Sequence, residues 1–330
     1  TTEISVAQIS AKEVKKLPQL LGEADVLRAI RLLPGVSSVG EGANGFNVRG
    51  GNSDQNLILL DEAPVFNSSH LFGFFSIFNA DAVRDAKLYK GGMPAIYGGR
   101  LSSVLDVRQR EGNNQRWASS GGVGLLSSRL LVEGPLVKDK ASVVLAGRRS
   151  YFDVFLPLFN TPELDQTILY FYDFNGKINA QLSKKDRVYA SFYNGRDKFG
   201  AADLFQFGWG NWTATTRWNR AVNDKMFFNA TALYSDSTYL LGTPDNAETK
   251  FQLNSRIQNY VTTAAWTYFP SPKHTVDFGA SNTYYVFSPG KITGAFDITL
   301  SQEWATEPAA YVSHTWKATN AFSVTSGLRY

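Results

Sequence analysis

Apolar and polar residues alternate with a period of two through most of the chain after about residue 117. In one such run, Val188, Ala190 and Phe192 alternate with Tyr189 and Ser191. Successive side chains of a β-strand point to opposite faces, so each run predicts a strand with one apolar face and one face that can form hydrogen bonds. The same alternation recurs at 212–218, 275–286 and 322–330.

Short polar turns and longer connections alternate between these runs. The short turns lie near 138–140, 184–186, 223–225, 271–273 and 319–320, and the longer connections near 155–168, 198–210, 242–250 and 288–303. This alternation is typical of an outer-membrane β-barrel, whereas a soluble sandwich mixes its turn lengths. We therefore predict about ten antiparallel transmembrane strands within residues 116–330. One apolar set should face lipid in such a barrel and a protein core in the alternative, a soluble β-rich binding protein: Val188, Phe192, Trp212, Trp218 and Phe278.

The first 115 residues have a different pattern and predict a small α+β domain. Apolar residues recur at helical spacing through 17–33, among them Leu20 and Leu21, and Pro34-Gly35 ends the run. An apolar run at 56–61 predicts a strand. We place the boundary between the two parts at residue 115.

The size of this domain limits the barrel that could enclose it. A domain of about 115 residues has an overall radius of roughly 17 Å. Ten tilted strands would close into a barrel of only about 10 Å radius, whereas about 22 strands would give about 22 Å. If the domain lies inside the barrel, the ten strands are part of an expected 22, and the sequence is expected to be a fragment of a longer protein.

Composition excludes several classes of function. The chain has no cysteine, so disulfide frameworks and thiol nucleophiles are excluded, and its three histidines are too far apart in sequence to form a metal-binding pair on a helix. A net charge of +4, scattered along the chain, does not indicate nucleic-acid binding. The Gly-Gly segments lack the Lys-Ser/Thr of a phosphate-binding loop, and the neighbouring carboxylates of Asp61 and Glu62 would point to opposite faces of a strand. We predict no enzymatic activity, no cofactor and no bound metal.

Several motifs of the first 115 residues resemble the plug of TonB-dependent receptors. They include Asn47-Val-Arg-Gly50, Leu57-Ile-Leu-Leu-Asp61 and Leu88-Tyr-Lys90-Gly-Gly-Met-Pro94-Ala-Ile-Tyr97-Gly-Gly-Arg100-Leu-Ser-Ser. In combination they are similar to the Bacteroidota type and differ from the SusC-like pattern. The resemblance marks as structural plug positions Gly50, Asp61, Lys90, Gly91, Gly98 and Gly99. Most family members have Asp-Gly where this chain has Asp61-Glu62, so the turn there is expected to differ.

The resemblance implies an outer-membrane receptor that imports a scarce nutrient by a TonB-coupled rearrangement of the plug. The plug would lie inside the barrel, toward the periplasm. The implied partners are the TonB energy-coupling complex, outer-membrane lipid and a small ligand such as an iron chelate or a vitamin-like molecule. A surface lipoprotein or a larger assembly is a further candidate partner. The alternative is a receptor-like barrel that does not import and serves as a structural, signalling or secretion-associated component.

The resemblance also implies where function resides. Three apical plug loops, at 52–55, 67–75 and 93–97, would meet the ligand. Their candidate ligand contacts are Asn52, Asp54, Asn67, His70, Phe72, Phe74, Met93 and Tyr97. The apolar run around His70 either packs inside the plug or, if exposed, favours a ligand with an apolar or aromatic face.

Four arginines are candidates for contacts between plug and barrel. Arg49 and Arg100 lie in plug motifs, and Arg148 and Arg149 lie on an early strand that resembles the family's first barrel hairpin. They would either take part in gating or only stabilise the resting fold.

Overall fold

A computed structural model of the chain describes residues 5–19, 22–40, 45–159, 161, 167–201, 204–243, 251–294 and 297–330. The N-terminal domain contains β1 (Val6–Ser10), α1 (Ala11–Val14), α2 (Val26–Arg31), β2 (Val36–Ser38), β3 (Phe46–Val48), β4 (Asn56–Leu60), β5 (Ala63–Pro64), β6 (Ser69–His70), β7 (Phe75–Ser76), β8 (Val83–Tyr89) and β9 (Ser103–Gln109). Short 3-10 turns lie at Ser53–Gln55 and Leu71–Gly73.

The remainder of the chain forms one large sheet. Its strands are β10 (Ala118–Val123), β11 (Ser127–Val137), β12 (Ala141–Ser150), β13 (Ile168–Gln181), β14 (Asp186–Ala201), β15 (Phe205–Asn223), β16 (Met226–Gly242), β17 (Phe251–Ser271), β18 (His274–Gly294), β19 (Ile298–Thr299), β20 (Glu303–Lys317) and β21 (Ser323–Arg329). A helix, α3 (Phe152–Phe155), and a 3-10 turn, Leu156–Phe159, follow β12. The predicted boundary at residue 115 falls between β9 and β10.

The N-terminal domain is built on a five-stranded sheet in the order β1-β8-β9-β4-β5, in which β4 and β9 are parallel. One face of this sheet packs against α2 and the β2–β3 hairpin. The centre of that core is fully buried and contains Ile30, Phe46, Leu88 and Leu105. An α+β domain was predicted for this part of the chain, and the structure confirms it.

The helix predicted over 17–33 is shorter in the structure. It begins after its N-cap residue, Asp25, whose carboxylate accepts a hydrogen bond from the backbone N–H of Arg28 at 2.9 Å. Such a cap satisfies one of the free donors in the first turn and fixes where the helix starts. Leu20 and Leu21, which belong to the predicted run, lie outside the described residues.

The large sheet is antiparallel, and eleven of its 12 strands follow one another in sequence order, with β19 paired to the end of β18. The prediction of about ten barrel strands is therefore confirmed. The predicted loop at 198–210 is wrong, because β14 continues to Ala201 and β15 begins at Phe205. The period-two pattern extends through that segment, and strands of 16 to 21 residues exceed the roughly 9–11 needed to cross a bilayer.

Two other predicted loops fall partly outside the described residues. Of 242–250, the structure describes only the first two residues, and 155–168 contains α3's last residue and the 3-10 turn before a gap. The predicted connection at 288–303 is shorter, because β18 continues to Gly294. No helix among the described residues is long and apolar enough to cross a membrane.

The outer face of the sheet is apolar, as predicted. Trp212 and Trp218 on β15 are 39% and 36% exposed, whereas their inward neighbours Thr213 and Thr215 are buried against the N-terminal domain. Contacting aromatic rings form two outer rows across β15–β18: Trp212, Tyr234, Tyr260 and Tyr284 in one, and Trp218, Phe228, Trp266 and Phe278 in the other. Aromatic rows on an apolar outer face are what the interfaces of a bilayer favour.

Candidate functional site

One segment of the N-terminal domain, residues 62–76, lies along the inner face of the large sheet and is called the wall segment below. It crosses the strands in reverse order, from β16 at Pro64, through β15 at Asn67 and Ser69, to β12 at Ser76. The wall segment runs across the strands and is not itself a strand of the large sheet. Side chains of the sheet donate hydrogen bonds to several of its carbonyl groups, as buried carbonyls require.

These donors are spread over several strands. Asn211 and Trp209 on β15 donate to the carbonyl oxygens of Asn67 and Ser69 at 2.6 Å and 3.1 Å. Arg148 on β12 donates to the carbonyl of Ser76 at 2.7 Å. The interface is therefore held by polar side chains that recognise backbone atoms.

A buried group of charged side chains, called the histidine cluster below, lies at the middle of the wall segment. His70 is buried between two carboxylates of the sheet, with Nε2 2.7 Å from Asp173 and Nδ1 2.5 Å from Asp197. The imidazole ring stacks on Phe171 at 4.3 Å between centroids. Only the protonated imidazolium can donate a hydrogen bond from both ring nitrogens, so this geometry fits a positive charge on His70.

The electrostatics of the histidine cluster favour the same protonation state. Burial opposes the charged form of His70, but the carboxylates of Asp173 and Asp197 outweigh burial and raise the pKa of His70 to about 9. The backbone N–H of Leu71 also donates to Asp197 at 2.8 Å. The positive charge on His70 thus binds the wall segment to carboxylates on both β13 and β14.

Arg148 completes the histidine cluster. Its Nε donates to Asp173 at 2.7 Å, and its Nη1 lies 3.5 Å from the carboxylate of Glu23 in the N-terminal domain. Tyr193 donates to the other oxygen of Asp173 at 2.7 Å. Each of these charged groups is buried, and buried charges persist only when they are paired and hydrogen-bonded. In the described part of the chain, no group of three His, Cys, Asp or Glu side chains is placed to hold a metal ion.

A second polar contact lies at the turn between β4 and β5. Asp61 and Glu62 have φ of 46° and 76°, and Leu60 pairs with Ala63 across them. A two-residue hairpin with positive φ at both positions has type I′ geometry, which favours glycine at its second position. The turn that the resemblance left in doubt is therefore formed here with Glu62 in the place that favours glycine.

The side chain of Glu62 explains its presence at this position. Its carboxylate lies 2.7 Å from Arg108 of the N-terminal domain, 2.8 Å from Arg217 on β15 and 2.8 Å from the hydroxyl of Thr231 on β16. Burial raises the pKa of Glu62, but the two guanidinium groups outweigh burial and hold the pKa below its usual value. Beside it, Lys177 on β13 pairs with Asp61 at 3.1 Å.

Substitution of Glu62 separates the backbone strain from the ion pairs. Both Glu62→Ala and Glu62→Gly remove the carboxylate, but only alanine keeps a Cβ at a φ of 76°. We expect alanine to destabilise the protein by about 1 kcal/mol more than glycine. Urea unfolding of the two variants, followed by tryptophan fluorescence, measures this difference. Equal stabilities would show that the left-handed backbone is unstrained.

The predicted ligand contacts separate into two groups. Phe72 and Phe74 are 39% and 56% exposed, and the ring of Phe72 contacts Phe207 and Trp209. Phe72 has φ 56° and ψ 34°, a left-handed conformation that is rare for a bulky side chain. The rest of the apolar run is buried, namely Leu71, Phe75, Ile77 and Phe78. Most of the run therefore packs inside the protein, and only Phe72 and Phe74 are exposed; contact of these two rings with a ligand stays a prediction.

The geometry corrects two other ligand predictions. Asn67 and His70 are buried against the sheet, so their side chains do not lie at the loop surface where contact with a ligand was expected. Asn52 and Asp54 lie at the 3-10 turn that precedes β4. Met93 and Tyr97 pack against Leu59, Tyr89 and Val104, and the Tyr97 hydroxyl donates to Asp106 at 3.2 Å.

The four predicted interface arginines have different surroundings. Arg148 joins the two parts of the chain as described above. Arg49 donates to Ser5 at 2.9 Å within the N-terminal domain, and Arg149 at the end of β12 pairs with Asp153 of α3 at 3.0 Å. Arg100 donates to the carbonyl of Gly99 and lines a cavity between the domain and the sheet. The described contacts of Arg49 and Arg149 therefore do not include the expected contact between the N-terminal domain and the large sheet.

The predicted structural positions also have visible contacts. Lys90 donates from Nζ to the carbonyl of Pro34 at 2.9 Å, and Gly50, Gly91 and Gly99 have positive φ. A Cβ on Gly98 would contact the guanidinium end of Arg329, so a larger residue there would require this side chain to move.

Sequence reasoning missed Asp173, Lys177, Asp197 and Arg217. All four occupy odd positions of period-two strands, on the face opposite the apolar set, and their charge could have marked that face as the one that contacts the domain. Their partners could not have been identified in that way.

Comparison with known proteins agrees with this architecture. Residues 1–104 match the family model described as TonB-dependent Receptor Plug Domain. No curated protein matches the sequence.

Solved structures match over almost the whole chain. A variant of the ferric enterobactin receptor PfeA from Pseudomonas aeruginosa superposes with a TM-score of 0.74 at 15% identity, over 99% of this chain and 57% of that one. The siderophore receptor PirA from Acinetobacter baumannii gives 0.72 at 17% identity, over 99% and 56%. The copper transporter OprC gives 0.71 at 11% identity, over 98% and 54%. At these identities the likeness establishes the fold alone, and the chain spans 57% of the length of the first of these receptors.

Proposed function

We propose that the whole protein imports a scarce nutrient across the outer membrane, on the premise that residues 1–104 match the family model of the TonB-dependent receptor plug domain. In this proposal the TonB energy-coupling complex acts on the plug, which rearranges inside the barrel and opens a path for the ligand. The plug would face the periplasm, and outer-membrane lipid would contact the aromatic rows. The Bacteroidota type remains a prediction.

The observation that carries the proposal is the polar character of the wall against which the plug lies. Its buried inward side chains include Asn211, Thr213, Thr231, Ser235 and Asn259. When the plug moves away from such a wall, water can replace the lost hydrogen bonds, so the net cost of each is modest. An apolar wall would expose apolar surface to water each time the plug moved. The free energy cost of that exposure would oppose import.

The ligand would meet the plug at Phe72 and Phe74. Phe72 contacts Phe199 and Phe207, which lie near the ends of β14 and β15 where these strands connect. Exposed aromatic rings at this place favour a ligand with an aromatic or apolar face. Strained, exposed side chains often mark ligand sites. Because two matched structures are named as ferric enterobactin and siderophore receptors, an iron chelate is the first candidate, ahead of a vitamin-like molecule.

A second function has some support from the same contacts. A barrel that serves as a structural, signalling or secretion-associated component would also need a plug that seals it, and the histidine cluster would provide that seal. A surface lipoprotein or a larger assembly would then be the stable partner.

Uptake of radiolabelled ferric chelates, including ferric enterobactin, by iron-starved cells distinguishes the two functions. We expect loss of the full-length receptor to abolish uptake of one chelate, and a protonophore to do the same. Phe72→Ala should raise the half-saturation concentration by roughly tenfold, the effect of removing one aromatic contact of about 1.4 kcal/mol. Phe174→Ala, which removes an exposed ring from the outer face, is the matched control. Unchanged uptake without the receptor, together with its isolation in a stable assembly, would favour the second function.

A further inference from the structure

The short turns that join consecutive strands at one end of the large sheet, called the turn rim below, are basic. They lie at 138–140, 182–185, 224–225, 272–273 and 318–322. Together they contain two aspartates and six lysines: Lys138, Lys140, Lys184, Lys185, Lys225 and Lys273. Their net charge of +4 equals that of the whole chain, so the remainder of the chain has no net charge.

The opposite ends of the strands are joined by acidic sequence. The connections there that carry charge are 151–167, 202–204, 243–250 and 295–302. Together they contain seven acids and one lysine. Because like charges repel and opposite charges attract, the turn rim is the end of the sheet that attracts anions.

The turn rim lies next to one of the two aromatic rows. Asp186, the first residue of β14, accepts a hydrogen bond from Nε1 of Trp218 at 3.0 Å. The ring of Trp218 contacts that of Phe228 at 5.7 Å between centroids. Tryptophan on the outer face of a barrel lies at the level of the lipid headgroups. Lys184 and Lys185 directly precede Asp186, so we expect their ammonium groups to lie within the headgroup layer.

Hydrogen bonds fix the turn at 182–185 and leave its lysines available. The hydroxyl of Ser183 accepts from the backbone N–H groups of Lys185 and Asp186, both at 3.0 Å, and donates to the carboxylate of Asp186 at 2.6 Å. That carboxylate pairs with Arg220 at 3.0 Å. Asp186 thus has its own cation, and the exposed charges of Lys184 and Lys185 remain to bind an anion.

A cavity of about 450 Å³ opens beside this turn. Its lining contains one carboxylate, that of Asp186, and four cations: Lys184, Lys185, Arg187 and Arg220. Phe228 of the aromatic row also lines it. The cavity lies between β13 and β16, each of which has a neighbouring strand on both sides. Cations beside an aromatic ring are the combination that suits a phosphate group attached to acyl chains.

We propose that the turn rim binds anionic phospholipids, with the phosphate group held by Lys184, Lys185 and Arg187. The acyl chains would lie along Trp218 and Phe228. Ammonium groups bind phosphate as point charges, and each lysine near an anionic lipid surface contributes a factor of roughly five in affinity.

Charge alone would also attract an acidic protein or polymer, but the contact between the turn and the aromatic row favours lipid. Asp186 joins the turn directly to Trp218, so the lysines are at the depth of the headgroups and not beyond it. Short turns of outer-membrane barrels face the periplasm, so the lipids would belong to the inner leaflet. Binding of lipid at the turn rim is independent of nutrient import.

Native mass spectrometry of the full-length receptor, released from detergent micelles that contain phosphatidylglycerol or phosphatidylcholine, tests the proposal. The two lipids can carry the same acyl chains, but only phosphatidylglycerol has a net negative charge. We expect the receptor to bind phosphatidylglycerol roughly tenfold more tightly, and Lys184→Gln/Lys185→Gln to remove most of this difference. The same variant should bind phosphatidylcholine as the wild type does.

Two lysines near the opposite strand ends provide a matched control. Lys198→Gln/Lys291→Gln removes the same charge from exposed positions on β14 and β18, where acidic connections offset it, so phosphatidylglycerol binding should stay unchanged. Equal binding of the two lipids by the wild-type receptor would overturn the proposal, and so would equal loss of binding in the two double variants. Displacement of the lipid by an equal concentration of glycerol phosphate would show that the acyl chains are not recognised, and it would overturn the assignment to lipid.

Discussion

Replacement of Arg148 by methionine is expected to weaken the plug–barrel interface by about 3–5 kcal/mol, the cost of removing one partner from a buried ion pair. Methionine fills a similar volume, but it leaves Asp173 with one cation fewer and leaves Glu23 without its ion-pair contact. The carbonyl of Ser76 also loses its donor. The effect should be large because all these groups are buried.

The neighbouring arginine provides a matched control. Arg149→Met changes the adjacent residue on the same strand, but Arg149 is half exposed and its partner, Asp153, is only four residues away. An exposed pair of this kind contributes about 0–1 kcal/mol.

Conductance of the full-length receptor in planar bilayers measures the difference between the two variants. We expect Arg148→Met to open at a much lower urea concentration than the wild type, and Arg149→Met to behave as the wild type does. Arg148→Lys should recover part of the effect, since it restores the charge without the paired donors. Equal urea sensitivity of the two methionine variants would show that the histidine cluster does not hold the plug.

Raising the pH from 6.5 to 9 is expected to remove about 3 kcal/mol of stability from the wall segment. The pKa of His70 is about 9 in the folded protein and about 6.5 in an unfolded chain, so the folded state holds the proton more tightly. A raised pKa contributes its full stabilisation below pH 6.5 and loses it as the pH rises through 9. Each unit of the difference corresponds to about 1.4 kcal/mol.

Hydrogen exchange in peptides that cover 67–76, corrected for the chemical exchange rate at each pH, measures this loss. Protection of the Leu71 amide, which donates to Asp197, should fall most. His70→Gln lacks the buried imidazole, so the pH dependence of its protection between 6.5 and 9 should be much smaller than that of the wild type. Wild-type protection that stays constant to pH 9 would show that His70 is neutral in the folded protein.

Much of the fold could be predicted because its signals are local. The alternation in runs such as 188–192 depends only on which side of a strand each residue faces, so it predicted the strands and the apolar outer face of the sheet. Strand ends were less predictable. The glycines at 200, 208 and 210 suggested a loop, yet the segment continues the ladder, in which Phe199 pairs with Phe207 and Gly200 with Gln206 across β14 and β15.

The candidate site was only partly predictable because its partners are distant in sequence. Arg148 was identified as an interface residue, but nothing nearby in the sequence indicates that its carboxylate partner is Asp173. His70 was expected at the ligand surface, but it is buried. One of its partners, Asp173, lies 103 residues away in sequence. Pairings of this kind depend on how the strands curve around the plug, which no local pattern encodes.

Because the wall segment crosses the strands in reverse order, its residues depend on strands at different distances along the chain. Ser76 can dock as soon as β12 exists, His70 waits for β13 and β14, and Pro64 waits for β16. Each contact closes a loop of chain between the wall segment and its strand. Closing the longest loop, from Pro64 to Ser235, costs less than about 1 kcal/mol more entropy than closing the shortest, from Ser76 to Arg148. The separation in sequence between a residue of the wall segment and its sheet partner thus increases toward the N-terminal end of the segment, from 72 residues for Ser76 to 171 for Pro64. The contact at Ser76 closes the shortest loop and costs the least entropy, so docking of the wall segment is expected to begin at that end.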